Sequence, residues 1–135
     1  MGNTLFGSPP WPDASSNPTP REKPIFISPK GWGHEEWIHN DELYCGKKLV
    51  VRAGKRCSLH YHKLKTETFY VASGKITLEL YYPDGTENIR VMQTGDHALL
   101  VPGVVHRFIA HEDSEIIEFS TQHFEDDSYR IERGD

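Results

Sequence analysis

The chain has 135 residues, of which 36% are hydrophobic, and a formal net charge of −5. That is material for one modest core, which excludes a multidomain enzyme and a coiled coil. The acidic balance argues against a general nucleic-acid binder. No run approaches the roughly 18–20 apolar residues of a membrane span, so no membrane partner is expected.

Residues 1–24 hold six of the nine prolines and have no hydrophobic period. Such a composition cannot repay its ordering entropy, so this segment is expected to be a flexible tail ahead of a single domain over 25–135. The N-terminus has neither a basic stretch nor an apolar one of the signal-peptide kind. Met1-Gly2 suggests myristoylation, but Phe6 stands where a hydroxyl is wanted. With only Cys45 and Cys57 in the chain, reduced thiols and a cytoplasmic setting are expected.

From Ile25 onward the pattern is all-β. Short β-prone runs fall near 25–28, 35–39, 47–52, 57–62, 66–72, 75–82, 87–92, 97–101, 104–110 and 115–121. The turn signals between them are Ala53-Gly54, Ser73-Gly74, Pro83-Asp84-Gly85, Thr94-Gly95 and Pro102-Gly103. Pro-Asp-Gly between apolar runs reads as a hairpin. Strands at this spacing predict a sandwich or barrel.

The chemistry is concentrated between Gly54 and Gly74. Alternation on a strand puts His60 and His62 on one face, with Ser58, and puts Leu59, Tyr61 and Cys57 on the other. If Glu67 faces inward with Phe69 and Val71 on the next strand, its carboxylate meets both imidazoles. His106, after the Pro102-Gly103 turn, is a candidate fourth ligand. Three histidines and a carboxylate suit one divalent transition metal ion, such as Mn, Fe, Co, Ni or Zn, better than Ca or Mg. Phe69 and Phe108 share the ligand face and are candidate pocket walls.

These spacings resemble those of the metal-binding cupins. That family's first motif is G-x5-H-x-H-x3,4-E-x6-G, which Gly54, His60, His62, Glu67 and Gly74 match at every position. Its second is G-x5-P-x-G-x2-H-x3-N, matched by Gly95, Gly103 and His106, with Val101 and Ala110 replacing the proline and the asparagine. The resemblance implies a small jelly-roll β-barrel, the metal ligands His60, His62, Glu67 and His106, and a homodimer. A narrower likeness covers most of residues 29–133. The stretch Pro29-Lys-Gly-Trp32-Gly33-His-Glu35, the run Val101–Phe108 and the segment from Glu115 resemble the cupin domain of type II mannose-6-phosphate isomerases. The opening stretch also resembles the cupin-like domain of some sialic-acid synthases. Those isomerases often carry Gln-x-His-His-His where this chain has His60-Tyr61-His62-Lys63, which puts the hexose phosphate substrate in question.

Seven of the fifteen Lys and Arg residues lie between Lys47 and Lys65. Read functionally, they form a basic rim for an anionic small molecule, with Lys48 and Arg52, of equal strand parity, as its grip. Glu118, a carboxylate inside the apolar run Ile116–Phe119, is a candidate general base. Lys48 and His97 are weaker candidates for that role. His34, His39, His111 and His123 read as surface residues. The favoured function is a metal-dependent sugar isomerase or epimerase on a small, anionic, carbohydrate-like substrate. A non-haem iron dioxygenase and a non-catalytic small-molecule-binding cupin are the alternatives.

Overall fold

A computed structural model describes residues 26–135; the tail expected over 1–24 lies outside the described residues. Within them no helix forms, and eleven strands make two antiparallel sheets. They are β1 (Phe26–Lys30), β2 (Gly33–Asn40), β3 (Cys45–Val51), β4 (Leu59–Tyr61), β5 (Glu67–Ser73), β6 (Lys75–Tyr81), β7 (Glu87–Gln93), β8 (His97–Leu100), β9 (Val105–Ala110), β10 (Ser114–Ser120) and β11 (Tyr129–Glu132). One sheet has the order β1-β2-β3-β10-β5-β8, the other β11-β4-β9-β6-β7. The predicted all-β jelly-roll class is the observed one.

Alternation builds the core. In β3 every second residue is buried, as in β6, so Leu49, Val51, Phe69, Val71 and Ile116 of one sheet meet Ile76, Leu78, Leu80 and Phe108 of the other. Side chains of period two on facing sheets leave this single interior as the place where apolar area is removed from water. The polar ring of buried groups described below lies at one end of it.

Two departures from the sequence reading bear on the site. The strand expected from residue 57 begins only at Leu59, because Arg56 makes an isolated bridge to Ile109 and the chain then runs irregularly to Ser58. Parity therefore fails for Cys57. It is a buried packing residue, as read, but it lines the same cavity as Ser58 and His60, and its sulfur accepts the Phe108 N–H. Strand β11 has no counterpart among the predicted runs. It is four residues long, follows an acidic loop and has no apolar alternation, and only pairing with β4 makes it a strand.

Two motif glycines serve the backbone. Gly74 has φ 95° in the β5–β6 turn, where a Cβ would strike Ser114. Gly103 has φ 89° and donates its N–H to the His62 carbonyl at 2.8 Å, so the turn of the second motif is bonded to the ligand-bearing segment of the first. Only glycine takes such φ values without strain.

Candidate metal centre

Register brings the histidines together. His60 of β4 lies directly opposite His106 of β9. Directly opposed residues of an antiparallel pair project to the same side. His62 follows two residues after His60. One ring nitrogen from each lies within 4.8 Å of the other two. Glu67, on the facing sheet, presents its carboxylate to them, with Oε2 3.3 Å from His62 Nε2 and Oε1 3.7 Å from His106 Nε2. Glu67, Phe69 and Val71 all face inward, as read.

Each imidazole is oriented from behind. His60 Nδ1 donates to the Ser58 carbonyl at 2.9 Å, His62 Nδ1 to the Asp127 carbonyl at 2.6 Å, and His106 Nδ1 to the Val104 carbonyl at 3.0 Å. A ring nitrogen facing a carbonyl carries the proton, so Nε2 of each ring turns its lone pair toward the centre. Outer bonds of this kind fix tautomer and aim in metal sites. Burial pushes His60 down to about 4 and lowers His62 and His106 as well. All three rings are therefore neutral near pH 7, the form that binds metals. His106 Nε2 and Glu67 Oε2 are buried without a hydrogen-bond partner. Orphaned polar atoms are costly unless something completes them. The donor set fits a divalent transition metal, which would complete both.

Asp127 secures this arrangement. Its carboxylate accepts the backbone N–H groups of Lys63, Leu64 and Lys65, while its carbonyl holds His62. Asp127→Ala should therefore lose about 2 kcal/mol of stability by taking the acceptor from three backbone donors, that of buried Lys65 among them. Metal affinity should fall roughly 10–100-fold, because the loop that holds the Asp127 carbonyl against His62 loses its anchor. Thermal denaturation and metal titration check this; unchanged affinity would show that the loop does not position His62.

The cluster opens into a cavity of about 530 Å³. Phe69 and Phe108 line it, as expected, in an edge-on pair 6.2 Å apart, and Trp32 packs edge-on against Phe108 at 5.2 Å. Glu118 also faces the cavity. Its Oε2 accepts from Lys65 Nζ at 3.0 Å and from the Ser120 hydroxyl at 2.9 Å, which leaves Oε1 without a bond among the described residues. Burial alone would raise the Glu118 carboxyl, but the Lys65 and Lys47 ammonium groups outweigh it and hold the group ionised. Burial and then the Glu118 charge push Glu67 the other way. A dication between the imidazoles would reverse that shift.

The other candidate side chains are placed elsewhere. Lys48 is on the outer face of β3, paired with Glu115 at 3.1 Å, because inward positions on this strand are the odd-numbered ones. Arg52 follows the strand and is exposed, bonded to the Gly31 carbonyl. Neither lines the cavity, so neither grips a ligand there. His97 is exposed at the start of β8, in a shallow depression with Arg90 and Asp96, which removes it as a base. The basic run 47–65 makes no rim. Lys47 and Lys65 are buried against Glu35 and Glu118, and Lys63 lies over the Tyr129 ring. The cations of the cavity wall are Lys30, Arg130 and Arg133, brought by β1, β11 and the segment after it. His123, read as a surface residue, also lines the cavity, beside Trp37. Sequence carried no signal for these four: Lys30 is placed by β1, and His123, Arg130 and Arg133 by β11 and the segments around it.

A family model described as a cupin domain matches residues 48–120. Solved structures of similar shape include an oxalate decarboxylase of Bacillus subtilis, at 18% identity and TM-score 0.72, covering 78% of this chain and 30% of that one. The capsular polysaccharide assembling protein CapF of Staphylococcus aureus matches at 17% identity and TM-score 0.71, covering 81% and 34%. A Lactobacillus farciminis oxalate decarboxylase in a formate complex matches at 17% and 0.71, covering 78% and 33%. The chain thus spans about a third of the length of these proteins, and the likeness is one of fold. No curated protein matches the sequence.

Proposed function

The chain belongs to the cupin domain family, and from that premise we propose that it is a metal-dependent isomerase or epimerase of a small carbohydrate-like molecule. The observation that carries this reading is a buried, ionised carboxylate facing the same cavity as His60 and His62, two of the three clustered neutral imidazoles. In the reading His60, His62, Glu67 and His106 hold one divalent ion, which would supply Lewis acidity toward a carbonyl or hydroxyl oxygen. The protein's own part is proton movement. Oε1 of Glu118 accepts the proton from the carbon beside the carbonyl, and Lys65, hydrogen-bonded to Oε2, steadies the carboxyl through both halves of the transfer. Phe69, Phe108 and Trp32 keep that face of the substrate dry. A cavity-facing carboxylate, held ionised by Lys65 buried behind it, supports proton transfer as the chemistry of this wall.

The test is elemental analysis of untagged protein, followed by assays of the metal-loaded chain with free sugars, sugar acids and sugar phosphates. About one metal per chain and proton exchange with solvent at the carbon beside the carbonyl are expected. Metal without any solvent exchange across the panel would leave a binding cupin. Oxygen uptake instead would favour the dioxygenase.

Pairing with a second copy is part of the same proposal. Leu99 and Phe119 flank Thr68 in one cross-strand row on the outer face, with Tyr70 in the next row, and all three large side chains are exposed. Sedimentation at the monomer mass would dismiss a homodimer.

A further inference from the structure

We infer that Arg130 and Arg133 form a carboxylate subsite, so that the substrate of the proposed reaction is a hydroxylated monocarboxylate, such as a sugar acid, and not a sugar phosphate. The inference rests on the metal-dependent reading for what happens at the other end of the molecule, but not for the binding of the carboxylate itself.

Register supplies the first argument. Arg130 of β11 is directly opposite His60 of β4, and His60 is directly opposite His106 of β9. Arg130, His60 and His106 therefore form one cross-strand row on the cavity face, with the arginine one strand out from the imidazoles. Opposed Cβ atoms in such rows are about 5 Å apart. A ligand atom at the histidines and a guanidinium on Arg130 can thus be joined by a molecule of a few carbon atoms. Arg133 lies on the same wall, just beyond the irregular register at the end of β11.

Pairing supplies the second. The other cations near the cavity are committed: Lys47 to Glu35, Lys65 to Glu118, and Arg107 to Glu132. Arg130, Arg133 and Lys30 line the cavity and make no ion pair among the described residues. Of the rim acids, Glu125 is 3.7 Å from His123, and Asp135 accepts the backbone N–H of Arg56. Neither neutralises the arginines.

Charge decides between anions. The inner wall carries Glu35, Glu67 and Glu118, with Lys47 and Lys65 buried behind them, one net negative charge that a divalent ion would turn to one net positive. At the arginine end Lys30, Arg130 and Arg133 stand against Glu125 and Asp135, one net positive charge, which a monoanion matches and a phosphate near two negative charges exceeds. The planar guanidinium fork fits a carboxylate with two parallel bonds.

The test uses the full chain loaded with whichever metal it retains, with glucuronate, glucose and glucose 6-phosphate as probes in calorimetric titrations. Glucuronate should bind at least tenfold tighter than either of the others. Losing one charge-assisted hydrogen-bonding group should weaken it about tenfold or more in Arg130→Gln, with glucose binding and metal content unchanged. Arg130→Lys, which keeps charge but not the fork, should recover only part of the loss. Arg133→Gln, outside any strand, gives the same reading if Arg130→Gln misfolds. Glucuronate bound no tighter than glucose, tighter binding of the phosphate, or variants that bind glucuronate like the parent would each overturn the subsite. Repeating the titrations on chelator-treated protein separates the two proposals, since arginine dependence that persists without metal supports the subsite even if the metal reading fails.

Discussion

His106→Ala is expected to abolish stoichiometric metal binding. Its Nε2 is buried, has no hydrogen-bond partner and faces Glu67 and the other two imidazoles. Disturbing an outer-shell partner already costs roughly 10–100-fold in metal affinity, and deleting a direct ligand should cost more. The barrel should stay folded, because Leu80, Phe69 and Phe108 around His106 keep their own packing between the sheets. Elemental analysis and competition with a chromogenic chelator measure the effect, with circular dichroism as the control for folding. His60→Ala, at a less buried position, gives a second reading. Retention of one metal per chain by both variants would sink the assignment of these histidines.

The second large effect is on turnover. Glu118→Gln should keep the metal and lower catalysis by about 10²–10⁴-fold, the usual contribution of a positioned base. Gln preserves the shape and can still accept from Lys65, so binding should change far less than rate. A pH signature accompanies it. Burial raises the Glu118 carboxyl, Lys65 and Lys47 lower it further, and the result is about 2, below the usual value of roughly 4.3. A group depressed on folding adds stability that is complete above its unfolded value and is lost as pH falls through the folded one. The parent should therefore lose this contribution between roughly pH 4.3 and 2, and the stability gap between parent and Glu118→Gln should close over the same interval. Acid denaturation curves that stay equally far apart would show that the pair is not ionised in the folded state. Unchanged turnover would dismiss Glu118 as the base.

Glu118 and Lys48 show how far strand parity reads. Both are charged residues in β-prone runs. Parity alone put Lys48 and Arg52 together, which holds, since both miss the cavity. It could not say which parity of β3 faces inward. That depends on Leu49 and Val51 meeting the opposite sheet, which leaves Lys47, the neighbour, as the buried lysine. Glu118 was legible because a carboxylate between isoleucine and phenylalanine needs a partner, but nothing local named Lys65, which lies 53 positions away. Cys57 marks the other limit. A single isolated bridge at Arg56 breaks the alternation, and a side chain assigned to one face arrives on the other.

By itself the sequence determined the all-β class, most strand positions and the gathering of His60, His62, Glu67 and His106. These follow from local rules: alternation of period two, glycine at positive φ, and ligand spacing within a strand and its turn. Only the tertiary structure decided what surrounds the cluster. Lys65 reaches Glu118, Asp127 fastens the His62 segment, and Arg130 stands beside His60 across a strand pair that no local pattern announces. The physical reason is that a short polar strand such as β11 has no preference of its own. Its conformation, and the charges it carries to the cavity, come from hydrogen bonds to a partner strand nearly seventy residues earlier in the chain.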